Sequence, residues 1–211
     1  MVVGVAALLL DLDRTLVDIE SYVDYCSAYA ELSRLGLARG AETPKTYWGK
    51  CTKAAMDALV ALAGTPSWRM ANEVVERYEV QGAVRSAPMP CLAEFLRATE
   101  GYKKAIVTLL GPRATAVVLE KFGIRADAVV AREEGIRPKP FPDPVLVALR
   151  RLGINARNAV MIGDSEWDEA SATAAGVKFV GITNGRTSHD FKIAEIYNSL
   201  CELIKVISKY S

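Results

Sequence analysis

Apolar positions follow two rhythms along this chain. Short continuous runs come first: Val5 to Leu10, Ala105 to Leu109, Asp127 to Ala131, Ala159 to Ile162 leading into Gly163, and Val177 to Ile182. A run of that length reads as a strand buried on both faces, as in a parallel sheet covered by helices. Between the runs, apolar residues recur at helical spacing. One helix is expected from Cys91 to Thr99 with Gly101 as its stop, and another from about Pro112 to Gly123. A third is capped by Asp143, opened by Pro144 and ended at Gly153. Ile193, Ile196, Tyr197, Leu200, Leu203, Ile204 and Ile207 predict an amphipathic terminal helix.

The stretch from Val17 to Pro88 breaks this alternation, because it shows helical spacing only. Tyr22, Tyr25, Cys26, Tyr29, Leu32 and Leu35 share one helical face, with Gly36 and Gly40 as stops. A second helix runs through Trp48, Cys51, Ala55, Leu59 and Leu62 to Gly64. Thr65-Pro66 then reads as a cap and first helical position for a third, through Ala71, Val74, Val75 and Tyr78. Five strands separated by helices predict an α/β fold, a doubly wound parallel sheet with right-handed crossovers. Residues 1–16 and 88–211 form the expected core, and residues 17–87 an inserted α-helical domain.

Chemistry enters where the strands end, since open α/β sheets place their sites beyond the carboxyl ends of strands. The first run stops at Asp11-Leu12-Asp13-Arg14-Thr15, the second at Val107-Thr108, and the fourth at Gly163-Asp164-Ser165-Glu166-Trp167-Asp168. Lys139 lies in the proline-rich segment Arg137 to Pro144. Each piece has a plain structural reading: an acidic turn, a strand threonine, a solvated lysine, a helix cap at Asp164. Their order, DxDxT, a hydroxyl residue, KP and GDxxxD, resembles the haloacid dehalogenase-like (HAD) hydrolase superfamily, in its phosphoglycolate phosphatase-like branch with a helical cap after the first motif.

That resemblance implies a Rossmann-like core with the strand ending at Asp11 central, beside those ending at Thr108 and Asp164. It implies a Mg²⁺-dependent phosphatase for a small phosphomonoester, with Asp11 as the nucleophile that becomes an aspartyl-phosphate and Asp13 as general acid and base. Thr108 and Lys139 would bind the phosphoryl group, with Leu12 as a further substrate contact. The metal ligands implied are the Asp11 and Asp164 carboxylates and the Asp13 carbonyl, while Asp168 orients a metal-bound water or Lys139. Such a ligand set is all oxygen, which suits Mg²⁺. A phosphomutase on the same scaffold is the alternative, and a catalytically silent binding protein a more distant one. Arg14 stands where the family usually has glycine, and Leu109-Leu110 where it usually has asparagine after the hydroxyl residue. Tyr47, Trp48, Lys50 and Lys53 are the candidates for specificity contacts from the cap.

Composition narrows the partners. The chain has 211 residues, 51% of them hydrophobic, with a formal net charge of +1, and it lacks the basic excess of a nucleic-acid protein. A small phosphorylated metabolite is the expected partner, with neither nucleic acid nor membrane. The four cysteines, Cys26, Cys51, Cys91 and Cys201, are scattered without a CxxC pair and read as small core residues in a reducing compartment. The N-terminal apolar run lacks a basic flank and a cleavage site, so a cytoplasmic protein is expected.

Overall fold

The leucine run that ends at Leu10 is wholly buried because strands hydrogen-bond to it on both sides and helices cover both faces. The computed structural model describes residues 5–187, 189–192 and 195–207. In chain order the elements are β1 (Ala7–Leu10), β2 (Val17–Asp18), α1 (Tyr25–Arg34), α2 (Lys50–Leu62), α3 (Trp68–Arg85), β3 (Ala87–Pro88), α4 (Leu92–Ala98) and β4 (Lys103–Val107). There follow α5 (Pro112–Phe122), β5 (Ala128–Val130), α6 (Asp143–Leu152), β6 (Ala159–Gly163), α7 (Glu166–Ala174), β7 (Lys178–Ile182), β8 (Ile196–Tyr197) and α8 (Leu200–Ile204).

Six strands form one parallel sheet in the order β5-β4-β1-β6-β7-β8, so β1 lies between β4 and β6 as expected. The period-two alternation of strands divides their side chains between two cores. Leu8, Leu10, Ile106, Val160 and Ile162 face one, while Ala7, Leu9, Ala105, Val107 and Met161 face the other. The inserted helices α1 to α3 build a third core around Leu32, Met56, Leu59 and Val75. Trp167 of α7 reaches into that third core from beside the sheet. The antiparallel pair β2–β3 brings together the chain's entry to and exit from this cap.

Several boundaries differ from the sequence pattern. Helix α3 starts after Ser67, because the Thr65 hydroxyl turns back to donate to the Leu62 carbonyl, 2.7 Å away, and closes the preceding turn instead. The terminal helix is shortened to α8: Ile196 and Tyr197 instead pair with Gly181 and Ile182 as an edge strand, β8. Ile193 lies outside the described residues. No described helix is long and apolar enough to cross a membrane.

The cysteine reading is overturned. Cys26 is bonded to Cys51, linking α1 to α2 in the cap, and Cys91 to Cys201, linking the start of α4 to α8. Scattered spacing concealed both pairs because they close loops of 25 and 110 residues. A loop of about 100 residues is worth roughly 4–5 kcal/mol in the chain-entropy account. Cys91→Ser should therefore lower the stability of the oxidised protein by about 2–5 kcal/mol in denaturant melts. An unchanged midpoint would show that the terminal helix is held by packing alone.

Candidate active site

Everything at the site depends on the carboxyl edge of three adjacent strands. Asp11 follows β1 and its amide donates to the Ile162 carbonyl at 3.0 Å, which keeps the residue in register with β6. Its Oδ1 accepts from Lys139 Nζ at 2.7 Å. Thr15 Oγ1 stands 2.9 Å from Asp11 Oδ2 and 3.3 Å from Asp164 Oδ1, donating to one or the other. Lys139 is 2% exposed, which removes the reading of a solvated loop lysine. Its remaining donors go to the Val107 carbonyl at 3.0 Å and Asp168 Oδ1 at 2.5 Å.

Asp164 is not the cap of α7 either. Ser165 takes that place in a reciprocal box with Asp168, whose Oδ2 accepts from the Ser165 hydroxyl and amide while Oδ1 holds Lys139. Asp168 thus positions Lys139 and the helix start together. Gly163 permits this: a Cβ there would lie 2.6 Å from Asp168 Cβ. Asp11, Asp164 and Asp168 offer oxygens within 4.8 Å of one another, all buried. Burial, with Asp11 and Asp168 alongside, pushes the Asp164 carboxyl far above the usual carboxylate range. Asp11 is raised to about 6, because burial outweighs the Lys139 cation. Such a concentration of negative charge fits a hard divalent cation with oxygen ligands.

Asp13 is placed by main chain rather than by charge. Its Oδ1 accepts from the amides of Ile19 and Glu20 at 2.9 and 3.0 Å. Burial raises its carboxyl to about 8, with those two bonds acting in the opposite direction. Arg14 adopts the left-handed conformation with φ 59°, which glycine adopts more easily, and its Nε lies 3.4 Å from Glu20 Oε2. Thr108 is 3% exposed and its Oγ1 accepts from the Leu110 amide. The Leu12 side chain is buried in the core, so any substrate contact at that position belongs to its main chain.

Asp11, Asp13, Arg14, Thr108, Lys139, Asp164 and Asp168 line a narrow cleft of about 40 Å³, closed on the cap side by Tyr25, Trp48, Thr52 and Met56. Of the four cap candidates, Trp48 lines the cleft and Tyr47 donates to Asp164 Oδ2 while stacking on Arg186. Lys53 is taken up by Asp57 and Thr43, and Lys50 is not among the lining residues. The Trp167 indole donates to the Pro44 carbonyl at 3.0 Å and packs on Trp48, which pins the Tyr47-Trp48 loop to α7.

The sequence pattern missed the clamp between cap and core. Arg132, after β5, makes a bidentate pair with Glu79 of α3 at 2.8 and 2.9 Å, and both side chains are fully buried. Arg132 also donates to Asn72 and to the Leu109 carbonyl, and Glu79 accepts from the Gly111 amide. The pair therefore holds the loop that carries Thr108. One signal was present: Glu79 continues the apolar stripe Ala71, Val75 at four-residue intervals.

Residues 8–182 match the family model described as haloacid dehalogenase-like hydrolase. The pyrophosphatase PpaX of Bacillus velezensis is 31% identical over 193 residues, covering 84% of this chain and 83% of its own. A phosphoglycolate phosphatase of Nitrosococcus oceani is 29% identical, with 96% of each chain covered. The crystal structure of a hydrolase from Pseudomonas syringae superimposes with a TM-score of 0.72 at 19% identity, over 97% of this chain and 99% of that one.

Proposed function

We propose that this chain, which belongs to the haloacid dehalogenase-like hydrolases, cleaves a small phosphomonoester through an aspartyl-phosphate on Asp11. It is a phosphoric monoester hydrolase of that family. The observation that carries the mechanistic reading is the setting of Asp11: one oxygen held by Lys139, the other beside Thr15, at the end of the central strand. A phosphate ester resists attack because its oxygens are negative, so positive charge, a positioned nucleophile and a proton donor are all required.

In the proposed sequence an Asp11 oxygen attacks phosphorus and the bond from phosphorus to the leaving oxygen breaks. Asp13 gives that oxygen its proton. The Asp13 carboxylate then takes a proton from water as the water oxygen attacks the aspartyl-phosphate, releasing phosphate and restoring Asp11. Its raised affinity for a proton suits the first role at neutral pH. Lys139 neutralises phosphoryl oxygens and orients Asp11, and Thr108 hydrogen-bonds one of them. Asp11, Asp164 and the Asp13 carbonyl would hold Mg²⁺, which supplies charge neutralisation for the phosphate. Asp168 acts through Lys139.

We assign the cap to residues 17–87, since β2 and β3 pair at its neck. A cytoplasmic location remains our reading. That reading requires a cytoplasm that does not keep these thiols reduced, because both disulfides must persist in it. Chelation tests the metal. Release of phosphate from 4-nitrophenyl phosphate should disappear with a strong chelator and return with Mg²⁺, and Asp164→Asn should raise the Mg²⁺ concentration for half-activity by more than the roughly 10–100-fold typical of losing a partner that only orients a ligand. Undiminished release after chelation would sink the metal reading, and isomerised sugar phosphate without free phosphate would favour a mutase.

A further inference from the structure

We infer that the leaving group is a compact uncharged polyol, and that Glu20 selects against substrates carrying a second anion. The inference rests on the phosphatase reading above. Among the described residues only two cations line the cleft, Lys139 and Arg14. An ammonium group has three protons, and those of Lys139 are all engaged, by Asp11, Asp168 and the Val107 carbonyl. Arg14 lies between Asp18 and Glu20, its Nε 3.6 Å from one carboxylate and 3.4 Å from the other. A third cation, Arg186, is covered by the Tyr47 ring and donates to the Asp164 and Ile182 carbonyls. Each of these three cations already stands beside at least one carboxylate, so none brings unbalanced positive charge to a carboxylate or a second phosphate on the leaving group.

Glu20 adds repulsion to that lack of attraction. It lines the cleft beside Asp13, to whose Oδ1 its amide donates at 3.0 Å, and its side chain is only 10% exposed. An anion a few ångströms from a half-neutralised carboxylate in such a setting is disfavoured by more than tenfold. A hydroxyl group meets the opposite situation. Glu20 accepts from the Gly49 amide at 3.3 Å and from Arg14 at 3.4 Å, both long, and a carboxylate has about four acceptor sites. Tyr25, Trp48, Met56 and Leu109, which line the same cleft, offer apolar surface to the carbon-bound hydrogens of a polyol.

The test measures kcat/KM of the full chain with Mg²⁺ on glycerol 1-phosphate and fructose 1-phosphate, against 2-phosphoglycolate and pyrophosphate. 4-Nitrophenyl phosphate reports the chemistry independently. Both polyol esters should exceed both anion-bearing substrates by at least about tenfold. In Glu20→Gln, which keeps shape and removes charge, the phosphoglycolate-to-polyol ratio should rise by about tenfold, mainly through KM. The wild-type ratios decide the matter even if that variant does not fold. A wild-type preference for phosphoglycolate or pyrophosphate, or an unchanged ratio in a folded Glu20→Gln, would overturn the inference while leaving the phosphatase reading intact. No phosphate release from any ester, the aryl phosphate included, would overturn that reading and this inference with it.

Discussion

Asp11→Asn should give a folded protein whose turnover on every phosphomonoester falls by at least roughly 10⁴-fold, because an amide cannot accept the phosphoryl group. Asp13→Asn should differ in kind. The nucleophile remains, and what is lost is the proton donor and base, generally worth about 10²–10⁴-fold. The deficit should therefore be small on aryl esters, whose leaving groups need little protonation, and large on alkyl esters. Because the second step also needs Asp13, phospho-enzyme should accumulate in that variant. Acid quench with labelled substrate and mass mapping reads the outcome: label on a residue other than Asp11, or none even in Asp13→Asn, would refute the assignment.

Arg132→Met should destabilise the protein by about 3–5 kcal/mol, since it leaves Glu79 as an unpaired charge with no access to water. The double variant Arg132→Met, Glu79→Met should recover much of that loss, because two apolar side chains of similar volume need no partner. A cycle built from the two single variants and the double would give the coupling directly. Activity should fall in Arg132→Met as well, because Arg132 holds the Leu109 carbonyl and Glu79 the Gly111 amide, on either side of the cleft residue Leu110. A loss in the double variant equal to the sum of the two single losses would show that the pair is not energetically coupled.

These two sets of residues differ in how far the sequence revealed them. The DxDxT, KP and GDxxxD segments were legible because each follows an apolar run or lies in a proline-rich loop, and because local order along the chain survives folding. The sheet was legible for the same reason, since strands buried on both faces must be apolar throughout. Placing Lys139 at the site required the superfamily resemblance and the company of the other motifs; taken alone, its segment favoured a solvated lysine.

What only the tertiary structure decided is contact between residues distant in sequence. The bonds Cys26 to Cys51 and Cys91 to Cys201 have no spacing signature, and the expectation of reduced cysteines failed for that reason. The edge strand Ile196–Tyr197 was misread as helix because a short apolar segment fits both periodicities, and pairing with β7 selected between them. Glu20 joins the site only because the chain turns back after β2, bringing its amide to Asp13 and its carboxylate between Arg14 and Gly49. By itself the sequence determined the sheet, the helical insertion and the residue types available for chemistry, since these depend on local periodicity and order. Which acid pairs with which base, and which charge faces the leaving group, depended on the three-dimensional closure of the cap over the sheet, because burial and electrostatic partnership are properties of contacts rather than of the chain.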